Sequence, residues 1–288
     1  MIKNENKKEL IKLIIVYAIV LGLMLGMAFV SSLIGEKIPM IALYIILYAL
    51  LMLPVIVYAK MTGTLTAEDF GFKKIKVSTF FFTVLLTIVS MPMYMFANIL
   101  SQLFVPNTIV QSMDTLFTTN AGSSLFMAVI LAPLCEEFIC RGFFQNRLKK
   151  VVPFFTSAVI SGLMFGVLHL NLNQFCYALV LGVVFAYANR ASGSIFTSML
   201  MHFLINGGNM LFLLVMQAAY ASLNTSIGEA AETYRADKSA MLASAVFYGV
   251  LAVASFFLTR LVIRAIAKRE GNLEVEAWAD DIQAQLEK

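Results

Sequence analysis

Residues 13–34 read LIIVYAIVLGLMLGMAFVSSLI, an uncharged run of 22 residues. Wound as an α-helix at about 1.5 Å per residue, it extends about 33 Å, enough to cross the ~30 Å hydrocarbon core of a bilayer. Lys3, Lys7, Lys8 and Lys12 precede or flank it, as in a secretory signal. The run outlasts the roughly 7 to 15 apolar residues of a signal's hydrophobic region, so it reads as an uncleaved first span.

Working outward, apolar runs between charged or turn-rich breaks place spans near 10–34, 38–60, 78–105, 124–147, 153–170, 173–189, 194–221 and 239–263. In hydrocarbon every backbone polar group must be satisfied within its own segment or in a closed barrel, and these runs lack the short alternation of barrel strands. The fold class is therefore all-α: a polytopic transmembrane helical bundle of about eight spans. Composition agrees. Apolar residues make up 60% of the chain and charged residues only 13%, with a mean hydropathy of +0.84, where soluble domains run near half apolar and a quarter charged. Residues 1–269 form one integral membrane domain, and 270–288 form an acidic, helix-prone tail carrying Trp278, the only tryptophan.

The net charge of +4 reads as topology rather than as nucleic-acid binding. Seventeen of the 21 Lys and Arg fall on one side of the eight-span arrangement, from Lys3 through Lys73, Lys150 and Arg190 to Lys288. The other side carries Lys37, Arg235 and Lys238, and Arg141 lies within a span. Both termini are accordingly expected in the cytoplasm. Residues 61–77 read as a surface segment, and 106–123 and 222–238 as polar loops on the opposite side. Cys135, Cys140 and Cys176 lie in apolar runs and imply neither disulfides nor a metal cluster. Gly207-Gly208 reads as a helix-packing site.

Away from span ends, the acidic, basic or imidazole side chains in the apolar runs are Glu136, Glu137, Arg141, His169 and His202. Burying such groups costs about 2.5–3.5 kcal/mol each on insertion scales, so they mark function by default. Glu137 and Arg141 stand four apart with the acid first, the favourable order for an ion pair. Glu136 is rotated about 100° from Glu137 on a 3.6-residue helix, which leaves it without a local partner. His202 and Asn206 share one helix face, as do Phe165 and His169. An unpaired carboxylate near imidazoles in a low-dielectric site suits the activation of water. A further imidazole and a carboxamide suit the stabilisation of an oxyanion. Together they describe hydrolysis of an acyl bond, most simply a peptide bond.

The motifs Glu136-Glu137-Phe-Ile-Cys-Arg141 (EExxxR), Phe165-Gly-Val-Leu-His169 (FxxxH) and His202-Phe-Leu-Ile-Asn206 (HxxxN) fall in that order, each on its own span. In this the chain resembles the CPBP family of intramembrane proteases, which includes the type II CAAX prenyl endopeptidases and bacterial bacteriocin-processing and self-immunity proteins. The resemblance covers roughly 124–210. It implies that Glu136 activates the attacking water with help from His169, that His202 and Asn206 hold the oxyanion, and that Glu137, Arg141 and Phe165 support them. The implied substrate is a hydrophobic or lipidated peptide or protein, met in a bilayer, and the implied location is a bacterial plasma membrane. No HExxH pair occurs, and metal-free catalysis with no cofactor is the reading taken; a divalent metal such as zinc would have to draw on Glu136, His169 and His202 from three helices.

The same residues admit two other readings: a non-catalytic immunity or scaffold protein that sequesters a peptide, and a proton-coupled transporter. One geometric tension stands. By helical rise Glu136 lies about 16 Å above Arg147, His169 about 24 Å above Pro153 and His202 about 12 Å above Ser194, a mismatch that tilt, or a break in the fifth helix near Gly162 and Gly166, would relieve.

Overall fold

The computed structural model describes residues 4–34, 38–110 and 122–272, and among them there are helices and no strands. In chain order the helices are α1 (Asn4–Ile34), α2 (Met40–Met61), α3 (Val77–Gln102), α4 (Gly122–Val151), α5 (Phe154–Leu168), α6 (Leu172–Ser192), α7 (Ile195–Ser222), α8 (Ile227–Ala236) and α9 (Lys238–Glu270). All except α5 and α8 are long and apolar enough to cross a membrane. The fifth span is therefore shorter than expected. At 15 residues, α5 extends about 22 Å, less than a hydrocarbon core by itself.

Helix boundaries follow local chemistry. Pro153 precedes α5, and the Asn171 side chain caps α6 by accepting from the Gln174 amide at 3.0 Å. Gly193 (φ 70°) ends α6 in the left-handed region that glycine adopts without strain. The stretch 222–238 is not simply a loop, since it contains α8. Its signal is Ser226-Ile-Gly-Glu229, a capping box in which each side chain satisfies the other residue's backbone N–H.

The bundle is apolar outside and lined with small polar residues inside. Phe81, Val215, Val250 and Leu261 stand exposed on the surface, as lipid-facing side chains do. Thr79, Thr83, Thr87 and Ser90 of α3 are buried, and Thr83 and Thr87 return their hydroxyls to carbonyls one turn back at 2.7 and 2.9 Å. Ser255 of α9 donates across to the Val89 carbonyl. The hairpin of α5 and α6 packs backbone to backbone: a Cβ on Gly182 would meet Gly162 Cα at 2.6 Å, and one on Gly166 would meet Phe175. Close packing thus falls to Gly162, Gly166 and Gly182. The expectation for Gly207-Gly208 is not met, because Gly208 has nothing within 4 Å and Gly207 only ordinary contact with Val129.

One face gathers both ends of the described chain. Tyr58 bonds Glu9 at 2.9 Å, the Lys76 amide bonds Glu270 at 2.9 Å, the Ile195 amide bonds the Gly71 carbonyl at 2.9 Å, and Asn272 bonds the Ala191 carbonyl at 2.9 Å. It is also the face on which Lys149, Lys150 and Arg190 surround one wide depression. This is the basic face that the sequence assigns to the cytoplasm. The acidic tail beyond Asn272 lies outside the described residues, as does most of the 106–123 stretch.

Candidate active site

The site grows from α4, which carries two π-helical segments, Met127–Leu131 and Phe138–Gln145. Such widened turns leave the regular ladder and turn side chains that a straight helix would aim elsewhere. Between them sit Glu136 and Glu137. Glu137 is fully buried, and Arg141 Nη1 donates to its Oε1 at 2.9 Å, so the expected ion pair is formed. The guanidinium lies 4.3 Å from the Phe165 ring centroid and 5.2 Å from that of Phe185, two cation–π contacts to a side chain that is 1% exposed. Gly182 makes room for it: a Cβ there would stand 2.8 Å from Arg141 Nη2.

His202 joins this buried group. Its Nδ1 lies 3.1 Å from Glu137 Oε1, and because the carboxylate accepts, Nδ1 carries the hydrogen. The opposite ring atom, Nε2, faces Glu136 Oε2 at 3.9 Å. That separation is too long for a hydrogen bond, yet a single oxygen atom about 2.8 Å from each can bridge the two at an angle. Glu136 has a partner that a reading of local helix faces could not include. Tyr48 on α2, 88 residues away, donates to its Oε1 at 2.7 Å.

His169 caps the end of α5. Its Nδ1 donates to the Phe165 carbonyl at 2.9 Å, which leaves the Nε2 lone pair free in the neutral ring. The Phe165 ring stands edge-on to both imidazoles, 4.8 Å from His169 and 5.5 Å from His202. Asn206 Nδ2 donates to the Ala128 carbonyl at 2.8 Å. Ala128 belongs to the first π-helical segment, so the carboxamide is oriented by backbone and keeps one N–H to spare. Tyr48, Glu136, Phe165, His169, His202 and Asn206 all line one cavity of about 460 Å³, within the size range of ligand sites.

The apparent mismatch in depth has a simple origin, and α5 is not broken at Gly162 or Gly166. Ile195 packs against Gly142, where an added Cβ would meet its Cδ1 at 3.0 Å, so α7 starts level with Gly142 rather than with Arg147. Measured from that level, six residues of rise to Glu136 and seven to His202 both give about 10 Å. His169 remains one helical turn beyond Phe165, farther from the basic face.

Neither Cys135 nor Cys140 lines the cavity, although both are buried beside the glutamates. Among the described residues no three His, Cys, Asp or Glu side chains converge as a metal site. Glu136, His169 and His202, as arranged, do not make a three-ligand set. Tyr48 and Phe185 escaped the sequence reading. Tyr44-x-x-x-Tyr48 put two phenols on one face of the second span, which was a usable signal; nothing in the local sequence marks Phe185.

No curated protein and no solved structure matches the chain. Residues 118–208 match the family model described as type II CAAX prenyl endopeptidase Rce1-like. The segment that carries Glu136, Glu137, Arg141, Phe165, His169, His202 and Asn206 is thus similar to that family of CAAX-type intramembrane proteases, and it lies within a multi-pass membrane protein.

Proposed function

We propose that the protein is an intramembrane endopeptidase that hydrolyses a peptide bond in a hydrophobic or lipidated substrate, with Glu136 as the base that activates water. The observation that carries this reading is the opposition of Glu136 Oε2 and His202 Nε2 at 3.9 Å across one wall of a cavity that His169 and Asn206 also line. Glu136, oriented by Tyr48, takes a proton from a water molecule as the water oxygen attacks the substrate carbonyl carbon. The carbonyl electron pair moves onto oxygen. His202, in its imidazolium form with Nδ1–H held by Glu137, donates from Nε2 to that oxyanion, and the spare N–H of Asn206 is the second donor. Collapse of the tetrahedral species breaks the C–N bond, and the proton held by Glu136 passes to the leaving amine, with the free Nε2 of His169 as relay. The products are a carboxylate and an amine.

The test is cleavage of a library of hydrophobic and lipidated peptides by detergent-purified protein, with and without chelator. Glu136→Gln, His169→Ala and His202→Ala are expected to remain folded and to lose cleavage by at least a hundredfold, the lower end of general acid–base contributions. Full activity of Glu136→Gln ends this mechanism, and binding without cleavage by the unaltered protein favours peptide sequestration instead.

A further inference from the structure

The cavity has a side and a chemistry. Its lining comes from those ends of the helices that lie away from the basic face: the start of α2 at Met40, the end of α3 at Asn98, the segment at Ile109, the start of α4 at Ser124, the start of α6 at Gln174, and α7 beyond its midpoint at Asn209. The short α5 and its turn to α6 reinforce this, because the hairpin tip that carries His169 stops at the cavity. The tip is tied there by Asn173, which donates to the Asn98 side chain at 2.9 Å and to Ser101 at 2.8 Å. Toward the basic face, the depression there ends against Arg141, and Arg141, Phe143, Phe144 and Phe185 are all at most 1% exposed. Basic residues mark the cytoplasmic side of membrane proteins, so the accessible end of the cavity belongs to the other side.

The lining is uncharged apart from the site itself. No lysine or arginine lines it among the described residues; its polar groups outside the site include the carboxamides of Asn98, Asn107, Gln174 and Asn209, the phenols of Tyr44, Tyr94 and Tyr177 and the hydroxyl of Ser124. Carboxamides and phenols donate and accept hydrogen bonds and so suit the N–H and C=O groups of an extended peptide. A free C-terminal carboxylate, by contrast, calls for a cation or a nest of donors. We propose that the cavity receives its substrate from the extracytoplasmic side, as an uncharged internal stretch of an exported hydrophobic peptide, and not as a free C-terminal carboxylate. This rests on the hydrolytic reading above, but its geometry is tested separately.

Access is tested first by thiol labelling of cells expressing full-length Asn107→Cys or Lys150→Cys, with the unaltered protein as background for its native thiols. A membrane-impermeant maleimide should label Asn107→Cys in intact cells and Lys150→Cys only after permeabilisation; the reverse pattern overturns the proposal, whatever the enzymology. Cleavage is then followed in right-side-out and inverted vesicles, using a quenched fluorescent hydrophobic peptide and Glu136→Gln as blank. Activity at least tenfold higher in right-side-out vesicles, and equal within about twofold for amidated and free-acid peptides, is the expected result. Activity confined to inverted vesicles, or a tenfold preference for the free acid, overturns the proposal while leaving the hydrolase intact. Absence of cleavage in detergent as well as in both vesicle types counts against the hydrolase, and the labelling result alone then decides the side of access.

Discussion

Removal of Glu137 is the perturbation with the most separable consequences. Its carboxylate is fully buried and is shared by Arg141 at 2.9 Å and His202 at 3.1 Å. Arg141 Nε and Nη2 have no hydrogen-bond partner among the described residues, so Glu137→Ala would leave a buried guanidinium held only by two aromatic faces. Breaking one partner of a buried pair costs about 3–5 kcal/mol, roughly a hundredfold or more in the folding equilibrium. The midpoint of thermal unfolding in detergent should fall by on the order of 10 °C. Arg141→Ala should cost a similar amount by stranding the carboxylate. The double replacement Glu137→Leu/Arg141→Met removes both charges and should recover most of that loss, because an apolar substitute for a buried pair is close to neutral. Activity should not return with stability, since His202 would have lost the carboxylate that holds its Nδ1. The measurements are thermal unfolding followed by monodisperse elution, and peptide cleavage at saturating substrate, for all three variants. Loss of less than about 1 kcal/mol in either single variant would refute the buried-pair argument. A double variant that is both stable and fully active would refute the positioning of His202.

Three further outcomes follow from the same geometry. Tyr48→Phe removes one hydrogen bond to a carboxylate, worth about 1.5–3 kcal/mol, and should lower kcat about tenfold or more with little change in thermal stability; unchanged kcat would show that Glu136 is held by other means. Gly182→Ala places a methyl 2.6 Å from Gly162 Cα and 2.8 Å from Arg141 Nη2, so it should cost at least the 1–3 kcal/mol typical of overpacking, whereas Gly208→Ala, with nothing within 4 Å, should be neutral or up to about 1 kcal/mol stabilising through helix propensity; equal melting temperatures for the two would contradict the packing. At the surface, the Thr225 hydroxyl and the Ser226 amide hold the Glu229 carboxyl below its ordinary range, and Ser239 with the Ala240 amide does the same for Asp237. A depressed folded value adds stability that is present above the unfolded value of about 4 and is lost as the pH falls through the folded value, so hydrogen-exchange protection of α8, which Glu229 caps, and of the first turn of α9, which Asp237 caps, should hold at neutral pH and decline only below about pH 4, and protection that already falls between pH 7 and 5 would exclude these caps as its source.

Much of the site was written locally. EExxxR, FxxxH and HxxxN are each readable because i, i+4 neighbours share a helix face wherever the helix goes, and the Glu137–Arg141 pair is the direct product of that rule. Partners from distant helices left no such trace. Tyr48 reaches Glu136 from 88 residues away, His202 spends one nitrogen on Glu137, and Asn206 finds a carbonyl of the first π-helical segment of α4, a departure from the 3.6-residue repeat that no periodicity reading anticipates. The capping box of α8 is legible as Ser226-x-x-Glu229, but the polar stretch around it lacks the apolar periodicity that marks a helix.

The all-α membrane-spanning class, the approximate spans and the concentration of basic residues on one face were determined by sequence alone. The physical reason is that a bilayer admits few solutions: an apolar run of sufficient length must become a helix, and its burial is set by lipid rather than by neighbouring chain. Tertiary structure decided which glycines bring helices together, which groups Glu136 and Glu137 face, and in which half of the bundle the cavity lies. Those depend on relative rotation and height of helices. A rise per residue measured from each helix's own end cannot supply that, because α7 begins against Gly142 and not at a common surface.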